Sequence, residues 1–569
     1  MRHNRQLGLQ CGFVAFAVFF GACTASPTRN SVVQGDTSEQ PPPNEDTDQP
    51  GVDGETGSTG NIDAGNNPAP TGETGATGQT GVTGQTGATG EDIPPNIKDA
   101  LTCLSGPTGV MPGSGPLGDN LQRHALDLGV FPDALCNDGT GGVIYFRPYA
   151  MDSDESDYAS SRNRNKWVIQ MRGGGSCNSP GSCAARWCGC KNTGPQGCPY
   201  ATETTRFTAG NMTGIGPMSQ ADGGMMQRDA GVTNPIKNFN QVRITYCSSD
   251  LWMGTKRNSI QDVLNPKTGA PVEYSIHFLG SRILDAALST LRASGVPTLS
   301  YTLATPAVAM PDLDGATEVV VLGDSAGGIG VIANLDRITD TLKSTNLLCV
   351  GQPSCPLVVH GVIDAAVGPS FDRLDFSDSV HADVGAPTYA DALILGEAQA
   401  AMRSAPITDQ SCLTWHAQNA PDTAYQCSDV THILRHHVTT PFFVRMALLD
   451  QLISKNYVDA RFRDPVLDAP DETMSLSSFA VRTYLELKAF DTLASTAEEG
   501  SAFTKAPGVF APLCTKHDTI NDDTETYDTV ITKQSGATYR LMDVFNAWRT
   551  NIVGEKNVLD GLQESSTCP

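Results

Sequence analysis

The chain has 569 residues, 39% of them hydrophobic, and carries a formal net charge of −24. That length and apolar content allow a large core or several domains. The acidic excess, with no basic stripe to offset it, argues against a nucleic-acid partner, and an anionic polymer would have to meet local positive groups.

Arg2, His3 and Arg5 precede the apolar run CGFVAFAVFFGAC. The run is too short to span a bilayer and is flanked as a signal peptide is, so residues 1–22 are expected to direct export. It ends in FGAC, which follows the bacterial lipobox pattern apart from Phe20 at its first position. Cys23 is therefore the expected lipid-bearing residue of a cell-envelope lipoprotein, with simple secretion as the alternative. One lipidated cysteine on a long tether holds a protein at a membrane surface, not through it.

Residues 23–95 are rich in Gly, Thr, Pro, Asn and acidic residues, with almost no large apolar side chains. Such a segment cannot bury enough surface to order itself and reads as a disordered spacer. Glycine falls at every third position in TGETGATGQTGVTGQTGATG. Proline is missing from the intervening positions, which favours a flexible tether over a collagen-like trimer.

Of 16 cysteines, Cys11 would leave with the signal and Cys23 would carry lipid. The even remainder fits a disulfide framework in an oxidising compartment. CNSPGSCAARWCGC, from Cys177 to Cys190, offers sulfurs for zinc, but no matching Cys-x-x-Cys pair or nearby histidine completes a tetrahedral set.

Residues 96–569 alternate short β-rich runs (GGVIYFRP, KWVIQM, QVRITYC, TEVVVLG, PLVVHGVID, TPFFVRMALLD) with helical stretches such as GSRILDAALSTLRASG. The pattern predicts an α/β domain with a mostly parallel central sheet flanked by helices. Residues 193–231 show no periodicity and read as a surface insertion or lid.

VVVLGDSAGGIGVIANLDRI, residues 319–338, carries a Gly-x-Ser-x-Gly pentapeptide between a β-branched run and a helical one. In that context Ser325 fits a nucleophile elbow, in which the sharp strand-to-helix turn exposes the serine hydroxyl. The bland reading is a small residue in a turn. An oxyanion hole is expected from the N–H of Ala326 and from the glycines of MRGGGSC, Gly173 to Gly175. A general base must come from His360, His381, His416, His432, His436, His437 or His517. His517 in FAPLCTKHDTI sits in a loop pinned by a cysteine, whereas His436 and His437 beside Arg435 read as solvated or structural. The acid should end a strand. Asp450 and Asp364 both qualify, and the later strand favours Asp450.

These segments, together with CNDGTGGVIYFRP, YCSSDLWMG and HFLGSRILDAAL, resemble in content and order the pectinacetylesterase and Notum family of α/β-hydrolase carboxylesterases. The resemblance runs from about residue 110 to 525 and omits the leader, the spacer and the last forty residues. It implies an α/β-hydrolase fold and Ser325, Asp450 and His517 as a catalytic triad. Gly174, Gly175 and Ala326 become the oxyanion donors, with disulfides Cys136–Cys247 and Cys177–Cys183. Proximity alone suggests Cys349–Cys355 and Cys412–Cys427. Where relatives place an aromatic pair after the glycines, this chain has Gly175 and Ser176, which leaves the acyl group open.

The expected activity is an exported serine carboxylesterase acting on O-acetyl groups of a polysaccharide such as pectin, with no metal or organic cofactor implied. The alternatives are a deacylase of longer acyl chains and a non-catalytic surface lipoprotein on a hydrolase scaffold. Arg172, Arg186 and Lys191 are the nearby candidates for a basic cleft.

Overall fold

The computed structural model describes the chain from Ile93 to Pro569, apart from 104–119, 190–208, 293–299, 376–407, 455–460, 463–471, 491–505 and a few shorter stretches. The expected signal 1–22, Cys23 and all but the last three residues of the 23–95 tether lie outside the described residues. All described residues belong to the compact unit Thr86–Pro569.

A ten-stranded sheet organises this unit. Its strands, in chain order, are β1 (Leu121–Ala125), β2 (Val143–Arg147), β3 (Lys166–Met171), β4 (Ser219–Gln220) and β5 (Asn240–Ile244). They continue with β6 (Glu318–Asp324), β7 (Val358–Asp364), β8 (Phe442–Arg445), β9 (Gly508–Ala511) and β10 (Asn557–Leu559). Across the sheet the order is β10-β9-β8-β7-β6-β3-β5-β2-β1-β4. From β10 to β5 every neighbour is parallel, and β2, β1 and β4 extend the edge in antiparallel pairs. The parallel, doubly covered sheet expected from the β-branched runs is present.

Strand β6 shows why. Its sequence, EVVVLGD, is apolar without alternation because both faces are buried. Val319 and Val321 face one core with Ile169, Ile363 and Val444, under the helices Gly280–Thr290 and Ala326–Thr345. Val320 and Leu322 face the other with Val168, Val362 and Phe443, under the helix Leu541–Thr550.

One expectation needs correction. The segment 193–231 is not wholly a surface lid. Its first part lies outside the described residues, but Met212, Met225 and Met226 are fully buried. The turn Gly224–Met226 packs on the histidine-bearing loop, where Met225 N–H donates to Ile520 O at 2.9 Å and Tyr527 OH donates to Gly224 O at 2.7 Å. The last forty residues, outside the span of the resemblance, supply edge strand β10 and a buried helix.

Six disulfides join described cysteines: Cys103–Cys188, Cys136–Cys247, Cys177–Cys183, Cys349–Cys355, Cys412–Cys427 and Cys514–Cys568. The first and last of these pairings did not follow from the sequence. Cys514–Cys568 closes a span of 54 residues, for which chain entropy gives about 4 kcal/mol of stabilisation. The double variant Cys514→Ala/Cys568→Ala is expected to lose a stability of that size, read from urea unfolding midpoints.

Candidate active site

Strand β6 passes directly into the helix Ala326–Thr345, and the one residue between them is Ser325, with φ 52° and ψ −120°. Positive φ in a residue with a Cβ costs about 1–3 kcal/mol and persists only where the surroundings enforce it. Here Ser325 N–H donates to Asp364 O at 2.8 Å, and Ser325 O accepts from Ile329 N at 3.0 Å. The half-buried serine thus caps a 20-residue helix whose N-terminus favours negative charge. Gly327 is required by the backbone beside it, because a Cβ there would stand 2.0 Å from Met171 O.

The glycine loop after β3 reaches the same turn. A Cβ on Gly173 would lie 3.0 Å from Ser325 Cβ and 2.4 Å from Asp324 O. Gly173 N–H donates to Asp324 Oδ2 at 3.1 Å, which leaves Gly174, Gly175 and Ala326 as the candidate oxyanion donors. Gly174 and Gly175 have φ of 150° and 64°, so the chain turns there in a way that L side chains resist. Asn211, which sequence reasoning did not single out, lies against Gly174, with its Nδ2 2.8 Å from where a Cβ would be.

A second loop, YCSSDLWMG, braces the first. Trp252 Nε1–H donates to Arg172 O at 3.0 Å, and Cys177 N–H donates to Ser249 O at 3.1 Å. Ser249, Leu251 and Trp252 all have positive φ. Buried Asp250 holds this strained turn, accepting from Ser248 Oγ at 2.6 Å, Gly280 N at 2.7 Å and Trp252 N at 3.1 Å.

Beyond β8, Asp450 is fully buried, with Oδ1 accepting from Leu452 N at 2.8 Å and Ile453 N at 2.9 Å. Its Oδ2 faces His517 Nδ1 at 2.8 Å. His517 Nε2 has no hydrogen-bond partner among the described residues. Burial disfavours the imidazolium, but the hydrogen bond and charge of Asp450, with Asp518 and Asp364 behind it, outweigh that and raise the His517 pKa above its ordinary 6.5.

The alternative acid, Asp364, does not touch the His517 ring. Its Oδ2 accepts from Thr519 N at 2.7 Å and Ile520 N at 3.0 Å, and its Oδ1 from Arg445 at 3.2 Å. Arg445 also donates to His517 O at 3.0 Å. Burial pushes the Asp364 carboxyl up to about 6, against the pull of Arg445 and the two backbone N–H groups. Asp364 therefore fastens the histidine loop from below while its own carbonyl holds Ser325.

The other histidines lie elsewhere. His360 is buried against Trp548, at 5.1 Å between ring centres, and His381 lies outside the described residues. His416, His432 and His437 are buried together, so the solvated reading of His437 does not hold. Burial first, then the neighbouring histidines, push His432 down to about 3 and His437 down to about 4. Arg186 is buried over the Tyr246 ring and is no cleft cation, its pKa pushed down to about 10 by burial. Lys191 lies outside the described residues, and Arg172 is partly exposed.

The two carboxylates should separate in mutants. Asp450→Asn is expected to lower kcat on the order of 10⁴-fold through the wrong imidazole tautomer, with little change in melting. Asp364→Asn leaves Arg445 buried without its counter-charge and should cost about 3–5 kcal/mol in denaturant unfolding. A base must be neutral to accept a proton, and the His517 pKa is raised. The kcat/KM of the wild type should therefore fall with acid through a midpoint above 6.5, read from a pH–rate profile.

A model of the family described as Pectinacetylesterase matches residues 120–562. The match thus extends past the limit near 525 inferred from sequence segments. Among curated relatives, the palmitoleoyl-protein carboxylesterase NOTUM of Schmidtea mediterranea is 22% identical over 447 residues, covering 76% of this chain and 64% of its own. Its counterpart in Drosophila melanogaster is 27% identical over 253 residues, covering 44% of this chain and 28% of its own. That of Homo sapiens is 25% identical over 274 residues, covering 48% and 42%. The chain thus spans less than two thirds of the length of these relatives. A solved structure of the Wnt deacylase Notum from Drosophila aligns at 21% identity with a TM-score of 0.48, covering 78% of this chain and 97% of that one. With the match running from the first strand of the sheet to just past the last, the chain belongs to the pectinacetylesterase family.

Proposed function

We propose that the protein is a serine carboxylesterase that hydrolyses O-acyl esters, with O-acetyl groups of a polysaccharide such as pectin as its substrate class. The observation that carries this reading is the anchoring of Ser325 and the His517 loop on one residue, Asp364, with His517 oriented by Asp450. Membership of an esterase family supports it.

In this mechanism Ser325 Oγ attacks the ester carbonyl while His517 Nε2 takes its proton. Asp450 holds the proton on Nδ1 and stabilises the imidazolium. The tetrahedral oxyanion is met by the N–H groups of Gly174, Gly175 and Ala326, each worth about 3 kcal/mol in comparable sites. His517 returns its proton to the departing alcohol, and water, activated by the same imidazole, releases the acid.

A second reading is favoured by one feature. With Gly175 and Ser176 after the paired glycines, no aromatic side chain from that loop narrows the acyl pocket, which suits a longer acyl chain. The names of the curated relatives point the same way. A non-catalytic display role fits the Gly-Thr tether, but it leaves the strained Ser325 and the oriented His517 without a purpose.

The six disulfides support an oxidising, extracytoplasmic location. No helix among the described residues is long and apolar enough to cross a membrane. Lipid attachment at Cys23 is proposed as the route to the membrane surface.

Hydrolysis of p-nitrophenyl esters from acetate to palmitate by the oxidised chain is expected to be abolished in Ser325→Ala. Preference for acetate assigns the acetylesterase reading, and preference for long chains assigns the deacylase. Absence of turnover on these esters and on acetylated polysaccharide overturns the esterase reading.

A further inference from the structure

Away from the candidate triad, three imidazoles meet in the interior. His416 lies in the last turn of the helix Gln410–Asn419, His432 in the helix Val430–His436, and His437 caps the latter. All three are at most 3% exposed. Their ring centres are 5.2–5.7 Å apart. One nitrogen from each, together with Cys412 Sγ, falls in a group whose atoms lie within 4.8 Å of one another. We propose that His416, His432 and His437 form a structural site for a divalent transition-metal ion of the zinc type.

One nitrogen pair already has the spacing that ion needs, and the third nitrogen lies within 4.8 Å of both. With Zn–N bonds of about 2.0–2.1 Å, the nitrogens of a tetrahedral site stand about 3.3–3.4 Å apart. His416 Nε2 and His432 Nε2 face each other at 3.2 Å. The tautomer of His416 is also set for ligation. Thr423 Oγ1 spends its one proton on Ala420 O, at 2.8 Å, so at 2.9 Å from His416 Nδ1 it must accept. The His416 proton therefore sits on Nδ1, and its Nε2 lone pair points at the neighbouring imidazole. An acceptor on the ring nitrogen opposite the ligating one is what fixes histidines in metal sites. In the metal-free pair, His432 Nε2–H donates to that lone pair. On ligation His432 carries its proton on Nδ1 instead, and no net proton is lost.

Cys412 is not part of the set. It precedes His416 by one helical turn but is bonded to Cys427, and only a free thiolate is a strong metal ligand. The disulfide ties the helix Gln410–Asn419 to the short segment Pro421–Ser428, and the three histidines would tie it through the ion to the helix Val430–His436 that follows. The helix Val430–His436 packs against the helix Ala326–Thr345, so the ion would stiffen the support of Ser325 without touching substrate.

The test uses the untagged, oxidised chain, stripped with chelator and dialysed, then titrated with cobalt(II) chloride or reloaded with zinc. The expected result is about one equivalent of metal per chain by elemental analysis and the intense visible absorption of tetrahedral cobalt(II). His416→Gln and His432→Gln should each abolish this, and His517→Gln should keep it. Thr423→Val, which leaves the ligands in place, is expected to weaken cobalt binding by about 10–100-fold. Thiol titration should find Cys412 and Cys427 still bonded in the loaded protein. Three results would overturn the proposal: no metal retained by the folded wild type, equal retention by the two histidine variants, or two free thiols appearing with the metal.

Discussion

Everything at the candidate site hangs on one buried carboxylate. Asp364 closes β7 at the centre of the sheet, and two different parts of it do two jobs. Its carbonyl accepts from Ser325 N, and its side chain accepts from the Thr519 and Ile520 N–H groups of the loop that carries His517. A parallel sheet gathers its strand ends on one edge, so a residue there can reach the turn after β6 and the loop after β9 at once. Arg445, at the end of the intervening strand, bridges Asp364 and His517 O and offsets the buried charge.

The second constraint is steric. Backbone from β3 runs so close to the elbow that neither Gly327 nor Gly173 has room for a methyl group. That proximity delivers the glycine loop to the serine. Trp252 holds it there, because its indole N–H fixes Arg172 O while its ring lies against Gly330 of the helix behind Ser325. Three positive-φ residues in one short turn are the strain that this arrangement requires.

Much of this was legible in the sequence because it rests on local patterns. The apolar run of β6 and the small residues after Ser325 specify a strand, a tight turn and a helix without outside information. Chain order in hydrolases favoured Asp450 over Asp364, and the structure brings Asp450 and His517 to hydrogen-bonding distance. Asp364 was visible only as a strand-ending acid, since its real partners are backbone groups some 155 residues away. Arg186 read as a surface cation because nothing local reveals that the Tyr246 ring covers it. The three-histidine cluster escaped notice for the same reason. Its members are spaced 16 and 5 residues apart, and only the packing of two short helices makes them neighbours.

The disulfide between Cys514 and Cys568 has a consequence for when the protein becomes competent. Cys514 lies three residues before His517 on the same loop, and its partner is 54 residues further along the chain. The covalent lock on the His517 loop cannot close until residue 568 has been synthesised and reached oxidising conditions. In a reducing environment the histidine loop would lack this fastening. The fastening of the histidine loop thus depends both on a chain complete to residue 568 and on the redox state around it.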